Sequence, residues 1–170
     1  VLGLGKLPVY QDEQFRYLTE KLNGYITGAY IYNKMGLTEQ VATTITIATP
    51  NPVRRFRFKN LDIECVKAYC MVYPDESLVP YLRLLDAIKD MKRIPGTTGQ
   101  DIYNRVKSQY FNGYSLPELE KIVSLAKSYP PRVRKVVADI LGDIRQTVLQ
   151  TEMAKTILPT TRFNLDYKTA

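Results

Sequence analysis

The spacing of apolar residues changes twice along the chain, and each change predicts a different kind of element. Over residues 12–23, Phe15, Leu18 and Leu22 recur at helical spacing with acids in the first turn, which predicts a helix stopped at Asn23-Gly24. Thr27 is placed to cap a second helix running to about Met35. Gly36 then supplies the left-handed residue after that helix, and Leu37 the apolar contact that follows it. From Val41 to Thr49 the period drops to two, with Ile45 and Ile47 on one face and Thr44 and Thr46 on the other. PNP at 50–52 predicts a turn. VRRFRFK at 53–59 alternates again, setting Phe56 and Phe58 against Arg55, Arg57 and Lys59, and Leu61, Ile63 and Cys65 carry the pattern on. A two-residue turn at Asn60-Leu61 would oppose Phe58 to Ile63, Phe56 to Cys65, Lys59 to Asp62 and Arg57 to Glu64, apolar to apolar and cation to anion.

After Tyr73-Pro74 the period is 3.6 to the end. Leu78, Leu82 or Tyr81, Leu85, Ile88 and Met91 form one stripe, IPGTTG at 94–99 breaks it, and Ile102, Val106 and Tyr110 start another. Ser115-Leu116-Pro117-Glu118 has the pattern of a capping box with proline in the first turn. Pro130-Pro131 stops that helix and opens the next, whose apolar residues are Val133, Val136, Val137, Ile140, Leu141 and Ile144. The expected class is α+β: a small antiparallel sheet with N-terminal helices over residues 1–73 (strands about 41–49, 53–59 and 61–67), followed by a helical bundle over 74–170.

Composition narrows the chemistry. The 170 residues are 45% apolar, enough for one compact core, and no apolar run is long enough to span a membrane. Two cysteines do not make a disulfide framework, which fits a reducing cytoplasm. There is no histidine, so Ser-His and Cys-His nucleophile activation and most zinc sites are excluded. No phosphate-binding glycine loop occurs, GLG at residues 3–5 being too short a match, and no close set of carboxylates would hold magnesium. The expectation is therefore a protein that is not an enzyme and needs no cofactor or metal. The formal charge of +7 comes from residues 1–60 and 116–170, the middle being balanced, and it draws the chain towards polyanions.

Three places invite a functional reading. The cluster Asn33, Gly36, Leu37, Thr38 and Gln40 is a structural hinge in which caps and turn hydrogen bonds account for every residue, or else a ligand contact. Arg54 and Arg55 are the two strand cations left without a local partner by the expected register, and either track phosphates or belong to a solvated ladder. Arg132, Arg134 and Lys135 crowd the first turn of a helix, where positive charge opposes the macrodipole. A phosphate, an acidic partner or a neighbouring carboxylate would relieve that. The 13 tyrosines, Tyr30 and Tyr32 among them, either stack on bases or cover core edges.

Three blocks in order carry a family likeness. They are GA-x-x-x-N-x-x-GLT-x-QV (Gly28, Ala29, Asn33, Gly36, Leu37, Thr38, Gln40, Val41), YPPRVR at 129–134 and LPTTRFNLDY at 158–167. With them the chain resembles the AbiEi-type antitoxins of bacterial type IV toxin–antitoxin (abortive infection) systems over nearly its whole length. In that family a winged-helix DNA-binding domain comes first and a short segment ending in Leu-Pro leads out of it; Leu4-Gly5-Lys6-Leu7-Pro8 looks like that segment. The resemblance implies a second and third part of an antitoxin without its DNA-reading head. It also implies transcriptional regulation of its own operon and action against a nucleotidyltransferase-type toxin without a stable complex. The partners it implies are operator DNA, reached mainly through the missing domain, and that toxin. The alternative is a structural or dimerisation domain of a DNA-binding regulator that touches no nucleic acid.

Overall fold

The computed structural model describes residues 6–50, 55–70 and 75–170, with side chains from residue 11 onward. The GLG stretch, most of the PNP turn, Val53, Arg54 and Tyr73-Pro74 lie outside the described residues. The class is α+β: seven helices and a four-stranded sheet among the described residues.

Helix α1 (Lys6–Leu22) starts earlier than the apolar spacing predicts and ends at Asn23, which takes a positive φ of 49°. Strand β1 (Tyr25–Thr27) follows, all three residues buried. Thr27 is therefore a strand residue and not the predicted cap. Helix α2 (Ala29–Lys34) starts instead from Gly28, at φ 78°. A Cβ on Gly28 would lie 2.5 Å from Thr46 Oγ1, so both the backbone and the close approach require glycine.

The sheet is mixed rather than antiparallel. Strands β2 (Thr44–Thr49), β3 (Arg55–Phe58) and β4 (Leu61–Lys67) join β1 in the order β1-β2-β4-β3. Strand β4, with Ile63 1% exposed, takes the centre beside β2 in parallel register, Ile45 against Ile63 and Ile47 against Cys65. The short strand β3, whose arginines face water, is left at the edge, a position that suits a charged strand and not a buried one. The hairpin register also differs from the expectation. Lys59-Asn60 turns the chain, with Lys59 at φ 54°, and the pairs are Phe58–Leu61, Arg57–Asp62, Phe56–Ile63 and Arg55–Glu64. The slip is two residues, so each side chain keeps its predicted face and only its partner changes.

The helical part comprises α3 (Val79–Asp90), α4 (Gly99–Gln109), α5 (Leu116–Ala126), α6 (Pro131–Asp143) and α7 (Thr147–Ala154). Thr98 caps α4 by accepting the Asp101 N–H at 3.1 Å. Ser115 caps α5 by accepting the Glu118 N–H at 3.4 Å, as its sequence predicts. The main core gathers Leu82, Leu85, Ile88, Ile102, Val106, Ile122, Val136, Val137, Ile140 and Met153 with Tyr25, Tyr32, Leu37 and Ala48 from the first fifty residues. A second cluster lies between α1 and the sheet: Leu18, Ile26, Ile31, Ile45, Ile47 and Ile63, with Phe15, Phe56 and Phe58 packed against it. Residues 155–170 run without regular structure as a strap across α4 and α6.

Candidate functional site

The hinge closes as its sequence predicts. Gly36 sits at φ 74°; its N–H donates to Asn33 O at 3.0 Å and the Leu37 N–H reaches Tyr32 O at 2.9 Å, the paired bonds of a glycine-terminated helix. Leu37 is fully buried. Asn33 Nδ2 donates to Thr38 O at 3.2 Å, and Thr38 Oγ1 donates to Pro95 O at 2.6 Å while accepting the Gln40 N–H at 3.1 Å. Gln40 thus takes part through its main chain. The carbonyls that the end of α2 leaves open go to α4 and the residue after it: Arg105 Nη1 donates to Leu37 O and Tyr110 OH to Met35 O, both at 2.8 Å. All five predicted residues come together; they bond to one another and, through Thr38 Oγ1 and the Leu37 and Met35 carbonyls, to the helical part.

At the start of α6 the three cations also find internal partners. Arg132 Nη2 meets Asp166 at 2.6 Å and its Nη1 donates to Asn164 O at 2.9 Å. Arg134 donates to Tyr129 O at 3.1 Å and to Thr156 O. Lys135 donates to Asp139 at 2.6 Å. The carboxylate that relieves the helix dipole therefore comes from the strap. Lys92 Nζ adds a bond to Asn164 O at 2.8 Å, and Tyr167 stacks on Tyr103 with ring centroids 4.3 Å apart. On the edge strand, Arg55 is not the unpartnered cation of the expected register. Its Nη2 lies 2.9 Å from Glu64, and Arg57 lies 4.0 Å from Asp62. The two patches are separate, one on the sheet edge and one on the bundle.

The feature that sequence reasoning missed is a set of aspartates held by tyrosine hydroxyls, two of them, Asp86 and Asp139, buried. Asp86, 2% exposed, accepts from Tyr25 OH at 2.7 Å, Thr27 Oγ1 at 2.8 Å and Tyr129 OH at 2.7 Å. Tyr32 donates to Asp90, Tyr103 to Asp143 and Tyr167 to Asp139. Burial raises the Asp86 carboxyl above its ordinary range, against the lowering pull of Lys89 and the three hydroxyls. At Asp143 burial also acts upward, but the bonds from Tyr103, Lys107 and the Ala170 N–H win and hold it low. Burial raises Tyr25, Tyr32 and Tyr129 far above the phenol range, reinforced by the aspartates. The available signal was an acid standing on an apolar arc: Asp86 follows Leu82 by one turn, and Asp139 and Asp143 fall in line with Val136 and Ile140.

Among the described residues no three metal-binding side chains cluster, and Cys65 and Cys70 are half-buried and form no disulfide, the Cys70 thiol being raised by burial. No family model, no curated protein and no solved structure matches the chain.

Proposed function

We propose that this chain is the antitoxin and transcriptional regulator module of a bacterial type IV toxin–antitoxin system. It counteracts a nucleotidyltransferase-type toxin in the cytoplasm and supports repression of its own operon, with operator reading left to a winged helix and only auxiliary phosphate contacts made by this part. The supporting observation is that the three blocks carrying the resemblance are also the joints of one scaffold. The first block makes the hinge that docks on α4. The second and third meet through Arg132 on Asp166 and Asn164, and Tyr129 of the second grips the buried Asp86. Such interlocking gives those residues a physical reason to recur together. No described helix is long and apolar enough to cross a membrane.

A second reading has its own observation. Arg55, Arg132, Arg134 and Lys135 each hold an internal acceptor, which favours a structural or dimerisation domain without nucleic-acid contact. The deciding experiment co-expresses the full coding unit with an AbiEii-type toxin and follows growth beside an operon-promoter reporter. Rescue and repression, without co-purification of the toxin, support the antitoxin. Neither effect, together with duplex binding that is absent at low salt, establishes the structural reading.

A further inference from the structure

The corner where α1 meets the β3–β4 hairpin carries an aromatic surface unlike any other among the described residues. Tyr17 is the most exposed aromatic side chain among the described residues, at 50%. Its ring lies nearly flat on Phe58, centroids 5.5 Å apart and planes 19° from parallel. Phe58 is anchored below by the α1–sheet cluster, so the upper ring is presented on a rigid base. The two rings are flanked by cations: Lys21 Nζ stands 5.7 Å over Tyr17 and Lys59 Nζ 5.7 Å over Phe58. Next along the edge strand, Arg57 and Arg55 keep 71% and 79% of their side chains in water, held by Asp62 and Glu64. Glu13 and Glu20 share the helix and keep the local excess small.

A half-exposed ring stacked on an anchored one, with a lysine ammonium over it, has the two components of a single-strand platform. The ring supplies a surface for base stacking that is indifferent to sequence, and the lysines supply phosphate contacts. A protein chain with a +7 excess draws such a polyanion in. A base can stack on this ring only if it is not already stacked in a duplex, so the site favours a single strand.

We infer that Tyr17 and Phe58, with Lys21 and Lys59, form a binding site for single-stranded nucleic acid, in which a base stacks on Tyr17 as Lys21 moves from the ring face to a phosphate. The site does not rest on the antitoxin reading, and its loss leaves growth rescue as a separate question.

The test is fluorescence anisotropy with labelled single-stranded DNA and RNA of mixed sequence and a duplex of equal length, at low and physiological salt. The wild type is expected to bind the single strands more tightly than the duplex. Tyr17→Ala, which gives up the stacking on Phe58 and lowers the melt slightly, is expected to weaken single-strand binding about five- to a hundredfold, while Tyr17→Phe keeps both the stacking and the binding. Lys21→Gln is expected to flatten the salt dependence. Because the chain has no tryptophan, Tyr17→Trp adds a single reporter whose fluorescence a stacked base quenches. Equal binding by wild type and Tyr17→Ala, a preference for the duplex, or an unquenched Tyr17→Trp would overturn the site. Quenching by RNA alone or DNA alone identifies which strand it takes.

Discussion

Replacing Asp86 is the most direct test of what holds the sheet to the bundle. Its carboxylate joins β1, through Tyr25 and Thr27, to Tyr129 at the end of α5, and all four groups are buried. Asp86→Ala leaves three hydroxyls without their acceptor and opens a small cavity. A buried donor left unpaired costs about 1–3 kcal/mol. Partial re-pairing among the hydroxyls lowers the sum, so a loss of about 3–5 kcal/mol is expected, a large share of the ~5–15 kcal/mol that a domain has in total. Tyr25→Phe removes one donor and keeps the other two bonds, so about 1–2 kcal/mol is expected. The carboxyl also sets a pH signature. Its folded-state value lies above its ordinary 3.8, so the fold binds the proton more tightly than the unfolded chain does. The resulting stability is complete below about pH 3.8 and is lost as pH rises through the folded value. Urea unfolding followed by circular dichroism at several pH values, on wild type, Asp86→Ala and Asp86→Asn, measures both effects. Both substitutions should remove this pH-dependent part. An Asp86→Ala midpoint equal to wild type would refute the joint, and an Asp86→Asn profile parallel to wild type would refute the raised carboxyl.

Gly36→Val should cost more than ~1 kcal/mol in thermal melts, from backbone strain alone, since a Cβ there would meet only Gln109 Oε1 at 3.7 Å; an unchanged melt would refute the left-handed helix stop. Alkaline unfolding should be cooperative, because raised folded-state phenols stabilise the fold below pH 10 and lose that contribution above it. Tyr25, Tyr32 and Tyr129 together remove about 4 kcal/mol per pH unit beyond that point. Phenolate absorbance that rises smoothly for all 13 tyrosines while circular dichroism stays native would contradict this. Replacing Arg132, Arg134 and Lys135 together by Ala should release the strap, with faster tryptic cleavage at Arg162 and Lys168 and a lower melting temperature; unaltered cleavage would show that the bonds to Lys92, Gln100, Asp139 and Asp143 hold the strap without them.

The elements that could be read from the chain are those written in contacts a few residues apart. The glycine stop after α2, the serine cap of α5 and the apolar arcs of α3 to α6 each depend on spacing and on one residue's backbone freedom, so Gly36, Ser115 and Val137 announce themselves. Alternation likewise settles the faces of β2, β3 and β4, and a two-residue slip of the hairpin leaves those faces intact. Strand order was decided elsewhere. No local pattern says that β4 lies beside β2 and β3 outside it, because that choice turns on which strand the helices bury. The partners of the charges were undecidable for the same reason. Arg132 finds Asp166 only because the strap returns across α6, and Asp86 is tolerable in the core only because Tyr25, Thr27 and Tyr129 converge on it from 43 to 61 residues away. Sequence fixes what each segment must bury; the tertiary structure alone decides which polar groups that burial brings together, because a buried charge is stable only where distant donors arrive to hold it.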